Sequence, residues 1–126
     1  MDRNEIHGQS PEAGAKIDIT PWLGTWRNSN EKTQWIQSFH MEMEGNDCKV
    51  SLTGANEPAD WGSVPATLYM DNIGELAFFA EIDLPEVRAH LAANMNKGLW
   101  VIAAFLHFKD ENRPNFLCRE FYYLDK

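Results

Sequence analysis

From residue 21 onward, turn signals recur about every ten residues, and the stretches between them are short and apolar-rich. Most of these stretches alternate apolar and polar side chains with a period of two, the signature of half-buried strands rather than helices. Such a chain must pair its strands antiparallel through tight links, as a sandwich or a barrel. The opening stretch, Trp22-Leu23-Gly24-Thr25-Trp26-Arg27-Asn28, sits between Pro21 and the polar turn Ser29-Asn30-Glu31-Lys32. Trp22, Gly24 and Trp26 share one face of this strand, and Leu23, Thr25 and Arg27 share the other.

A second strand is expected over 34–44, with Trp35, Gln37, Phe39, Met41 and Met43 on one face and Ile36, Ser38, His40, Glu42 and Glu44 on the other. Gly45-Asn46-Asp47 is a hairpin turn of residues that tolerate positive φ. A third strand covers 48–53, a longer loop 54–60, a fourth strand 61–70, and a turn Asp71-Asn72-Ile73-Gly74. The fifth strand covers 75–83, with Leu76, Phe78, Ala80 and Ile82 on one face. Residues 86–96 fit both periods: Val87, Leu91 and Met95 have helical spacing, while Val87, Ala89, Leu91, Ala93 and Met95 also alternate. A strand is preferred there because closing a barrel requires another stave. Residues 99–108 are apolar on both faces, and the last strand covers 115–124. The expected fold is therefore all-β, an antiparallel up-and-down barrel of about eight strands, large enough inside for side chains and one small ligand. Residues 1–20 read as an N-terminal tail, with Ile17 and Ile19 as its docking points, and 21–126 as a single barrel domain.

Gly24-Thr25-Trp26 has the Gly-x-Trp form of the first strand of lipocalins, and with Asn28 following it also resembles the opening strand of avidins. The resemblance is to calycins, small antiparallel barrels that hold small ligands in the lumen. In lipocalins a basic residue of the last strand packs across that tryptophan, and Arg119 is the matching candidate. The Thr-Asp-Tyr motif of lipocalins is absent, as are their signal peptide and paired cysteines, so the resemblance implies a calycin-like barrel without naming a ligand.

Charge narrows the partners. With 19 acidic and 11 basic residues the chain carries a net charge of -8, which disfavours nucleic acid and anionic membrane surfaces. No apolar run is long enough to span a bilayer, and the first residues lack the order of a signal peptide, so a cytoplasmic protein is expected. Cys48 and Cys118 read as buried free thiols. His7, His40, His90 and His107 show no metal-ligand spacing, and neither a metal nor a cofactor is expected.

Two function classes remain, and whether the chain is an enzyme stays open. The first is a binding protein for a small apolar or aromatic molecule, with Trp26, Trp35, Phe39, Phe78, Arg88, Phe105 and Tyr123 as candidate ligand contacts. Its support is the supply of five tryptophans, five methionines and seven phenylalanines. The second is a cofactor-free cyclase or isomerase, with Glu81, His90, His107 and Glu120 as candidate proton-transfer groups. Arg88 and His90 share a face, either as a polar pair lining the lumen or as part of a solvated outer surface. Trp61 sits at a loop, where its indole lids a barrel mouth or packs locally. The doubly apolar strand 99–108 needs cover on its outer face, and a homodimer is the expected cover.

Overall fold

The computed structural model describes residues 17–126. They form nine strands: β1 Gly24–Asn28, β2 Ile36–Glu44, β3 Asp47–Gly54, β4 Asp60–Pro65, β5 Thr67–Met70, β6 Leu76–Asp83, β7 Val87–Asn96, β8 Leu99–Phe108 and β9 Phe116–Asp125. All ladders are antiparallel and the sheet order is β4-β3-β2-β1-β9-β8-β7-β6-β5. Consecutive strands pair with one another except β4 and β5, and β1 pairs with β9. The two ends of the sheet, β4 and β5, are joined through Ala66 alone. The result is a nearly closed, up-and-down, calycin-like barrel.

The count of nine corrects the expected eight. The stretch expected as one fourth strand divides at Pro65-Ala66. Up to Pro65 it pairs with β3, ending at Lys49↔Pro65; from Thr67 it pairs with β6, beginning at Thr67↔Phe79. Proline has no N–H to continue a ladder. Ala66 N–H donates to Cys48 O at 2.9 Å, and its methyl is buried, so the bend is held from inside while the chain changes partners.

Residues 87–96 are a strand, with Val87, Ala89, Leu91, Ala93 and Met95 inward. In β8 the inward set is Trp100, Ile102, Ala104, Leu106 and Phe108. The expected alternation of β2 is corrected near its start. Ile36 lies opposite Gly54 but Ser38 lies opposite Thr53, so Gln37 is the extra residue of a bulge. Ile36 therefore joins Phe39 and Met41 inside.

The closed end of the barrel is filled by rings. Trp26 stacks on Phe39 at 6.4 Å, Trp100 meets Trp26 edge-on at 6.1 Å and Phe78 at 4.9 Å, and Phe39 meets Tyr122 at 5.4 Å. Burying each such side chain contributes roughly 1.5–3 kcal/mol, with about 0.5–1.5 kcal/mol more for a well-placed ring pair. A 3-10 turn, Thr20–Trp22, crosses this end. Its Trp22 carbonyl accepts from Trp26 Nε1 at 2.9 Å, and Ile19 is buried beneath it. Ile17 and Ile19 thus dock as expected, while residues 1–16 of the expected tail lie outside the described residues.

Arg119 does not pack across Trp26. The register Trp26↔Leu124 puts the even-numbered residues of β9 on the tryptophan's side of the sheet. Arg119 is odd-numbered, exposed, and opposite Ala103 on the outer face.

Candidate ligand site at the barrel mouth

Four connections meet at the other end, two of them seven residues long: 29–35 between β1 and β2, 55–59 between β3 and β4, 84–86 between β6 and β7, and 109–115 between β8 and β9. They surround a cavity of about 520 Å³. Its apolar wall is Trp35, Trp61, Leu84, Val87 and Phe108, and its polar margin includes Gln34, Asn56, Glu57, Glu86 and Arg113. This size falls within the range of small-molecule sites, roughly 300–1,000 Å³.

Each indole is held in its own way. Trp35 lies between Phe108 and Phe116, with both ring centroids 5.8 Å away. Its carbonyl accepts from Ala55 N–H at 2.8 Å, and its N–H donates to Thr33 Oγ1 at 3.2 Å. Asn56 Nδ2 donates to Gln34 O at 3.2 Å and to Gln34 Oε1 at 3.0 Å, joining the two loops beside it. Trp61 places its indole nitrogen against Gly54. A Cβ at Gly54 would stand 2.3 Å from Trp61 Nε1, so only glycine admits the indole there. Across the mouth, the Arg113 guanidinium carbon sits 3.7 Å from the centre of the Phe108 ring. This stacking leaves the donor edges of the guanidinium free to meet acceptors.

Below the β1–β2 loop lies a polar cluster. Glu120 accepts from Thr33 Oγ1 at 2.5 Å, Asn30 Nδ2 at 2.9 Å and Cys118 Sγ at 3.3 Å. Tyr122 donates its hydroxyl to Ile36 O at 2.8 Å, and buried Asn28 donates to the same carbonyl at 3.1 Å. Burial pushes the Glu120 carboxyl up, but hydrogen bonds from Thr33, Asn30, Asn28 and Cys118 outweigh it and hold the group below its ordinary value. Burial, reinforced by hydrogen bonding to Glu120 and by its charge, pushes the Cys118 thiol up to about 12. Burial first, then the charge of Glu120, keeps the Tyr122 phenol protonated far above its usual range. Glu120 therefore acts on Trp35 through Thr33, as a brace for the loop that carries the indole.

The candidate contacts are dispersed. Trp35 lines the mouth, whereas Trp26, Phe39 and Phe78 belong to the packed closed end. Arg88 stands on the outer face beside Asp83, at 3.9 Å, and Phe105 and Tyr123 are exposed on that face. Of the proton-transfer candidates, Glu81 and His90 meet outside the barrel at 3.6 Å. His107 is exposed and opposite Arg88, and Glu120 is in the bracing cluster. Among the described residues, no three His, Cys, Asp or Glu side chains gather as a metal-binding group, and no helix is long and apolar enough to cross a membrane. Sequence reasoning missed Phe108 and Arg113 as mouth residues. Phe108 shares its strand with many apolar side chains, and Arg113 lies between the last two strands, where no periodicity marks it. No family model, curated protein or solved structure matches this chain.

Proposed function

We propose that the chain is a small-molecule-binding barrel whose ligand is a flat, apolar or aromatic molecule held at the mouth. The observation that carries this reading is the cavity of about 520 Å³ walled by Trp35, Trp61 and Phe108. Behind it the interior is occupied by Trp100, Phe39, Phe78 and Met41, so a ligand rests on the aromatic plug rather than passing through it. The indoles offer broad apolar faces at low entropic cost, and Arg113 offers donors to a carbonyl or anionic edge. The placement of Glu81, His90 and His107 on the outer face, and of Glu120 in the bracing cluster, puts none of them in the wall of the mouth cavity, which supports binding over the cyclase or isomerase alternative.

The test uses anilinonaphthalene sulfonate, an aromatic anion whose fluorescence rises on leaving water. The intact protein should bind it at one site, with energy transfer from tryptophan. Trp61→Ala should weaken that binding about tenfold, a loss of about 1.4 kcal/mol. Equal affinity in the variant would sink the mouth as the site. Native mass spectrometry of protein from its own cell would then identify the physiological ligand by mass.

A further inference from the structure

The outer surface of the barrel is divided. Over β2–β4 it is polar: Ser51 and Ser63 hydroxyls share a hydrogen bond of 2.6 Å, and Lys49 pairs with Glu42 and Glu44. Over β5–β9 it carries an apolar trough of about 660 Å³ toward the closed end, while Glu81, Asp83, Arg88, His90 and His107 occupy the part nearer the mouth. The trough has a floor of small residues, Ala77, Ala92 and Ala103, between the rings of Tyr69 and Phe79 on one side and Phe105 and Phe121 on the other. Tyr69, Phe105 and Phe121 are 53%, 49% and 43% exposed, so the rings stand in solvent beside the floor they flank.

We propose that this face binds a second copy of the same chain across a twofold axis. Self-complementarity, area and charge favour this occupant. The register aligns Phe79, Ala92, Ala103 and Arg119 in one row across β6 to β9. The neighbouring row is Ala77, Asn94, Val101 and Phe121. An axis lying in the face along the β7–β8 seam sets Ala92 of one copy opposite Ala103 of the other, letting the backbones approach. The same axis sets Phe121 opposite Ala77, a ring over a floor position, and Arg119 opposite Phe79, a cation over a ring. The four strands β6 to β9 at about 4.8 Å and four outward positions at about 6.8 Å cover roughly 500 Å², the share of one partner at the small end of specific interfaces. The chain carries a net charge of -8, but its acidic residues are sparse along these rows, so the two copies meet where their repulsion is weakest.

Sedimentation velocity on the full chain tests this. The expected mass is twice the 14.4 kDa of one chain at micromolar concentration. Ala103→Glu should weaken the dimer at least 100-fold, and Arg119→Glu, at an exposed position that leaves the core intact, about tenfold. Ser51→Glu on the polar face should change nothing. Near-ultraviolet circular dichroism of the tryptophans reports whether each variant keeps its fold. A monomer at 200 micromolar overturns the proposal, as does a folded Arg119→Glu protein that dimerises with unchanged affinity. If the intact protein is a monomer, hydroxyl-radical footprinting separates the rivals: protected Phe105 and Phe121 would assign the face to residues 1–16, and oxidised rings would leave it uncovered.

Discussion

The two ends of the barrel use the same residue types to opposite effect. At the closed end, Trp26, Trp100, Phe39 and Phe78 pack against one another with essentially no exposed surface. At the mouth, Trp35, Trp61 and Phe108 surround empty volume. The connections account for the difference. Lys97 and Gly98, both at positive φ, turn β7 into β8 directly at the closed end, and the 3-10 turn caps the rings from outside. At the mouth, the loops 29–35 and 109–115 hold the strand ends apart, and their side chains form walls instead of a plug. Aromatic content alone thus distinguishes neither a core from a ligand site nor one end of a barrel from the other.

The sharpest way to break this comparison is to truncate one indole at each end. Trp100→Ala should cost about 3–5 kcal/mol, read from the denaturant midpoint, because it leaves a cavity in the plug. Trp61→Ala should cost less than about 1 kcal/mol, since its ring is already partly exposed. Similar losses at both ends would erase the distinction. Trp100→Phe refines the first half. Trp100 Nε1 is buried without a hydrogen-bond partner among the described residues, a state that costs roughly 1–3 kcal/mol. Removing that donor should offset much of the lost ring area and keep the variant within about 1.5 kcal/mol of the parent.

Gly54→Ala comes next in size. The added methyl must displace Trp61, so stability should fall by about 1–2 kcal/mol. The larger consequence is at the mouth, where the variant should bind the aromatic dye as weakly as Trp61→Ala does. Retained affinity would mean that the indole has an equally good second seat.

The smallest expected effect is a pH dependence of the Trp35 loop. The Glu120 carboxyl is held below the ordinary glutamate value of 4.5 in the folded protein. A depressed folded value stabilises the fold at every pH above the unfolded value. That contribution declines as pH falls below about 4.5 and vanishes below the folded value. Dye affinity should therefore drop in this acid range in the parent, beyond any change in the dye's own signal. In Glu120→Gln it should start lower and stay flatter. Identical acid profiles would remove Glu120 from any role at the mouth.

Much of the barrel was legible in the sequence, because strict alternation marks both strand and face. Val87 to Met95 shows this, where a period of two prevailed over a competing helical spacing. Legibility failed where alternation stops carrying information. In β8 both faces are apolar, so only packing decides that Trp100 and Leu106 point inward. The bulge at Gln37 shifts the parity of its strand with no compositional mark. The division at Pro65 was marked, since proline cannot extend a ladder, but the surrounding apolar run read as continuous. At the mouth, Trp61 was visible as an indole beside a loop, though it stands on β4 rather than in the loop, whereas the seating of Arg113 over Phe108 brings a loop back over a strand end, which no periodicity records.

The pairing of β1 with β9 has a consequence for how the barrel is made. Arg27 and Asp125, 98 positions apart, form an ion pair across that ladder. Most other ladders join consecutive strands and close loops roughly a tenth as long, so bringing β1 to β9 costs about 2 kcal/mol more chain entropy. Hairpins such as β2–β3 and β7–β8 should therefore form early, and the β1–β9 ladder should seal the cylinder last. Pulse-labelled hydrogen exchange during refolding should find the amides shared by β1 and β9 among the last to gain protection. The mouth draws Trp35 from one side of that seam and Phe108 from the other, so the proposed site would be complete only once the seam has formed.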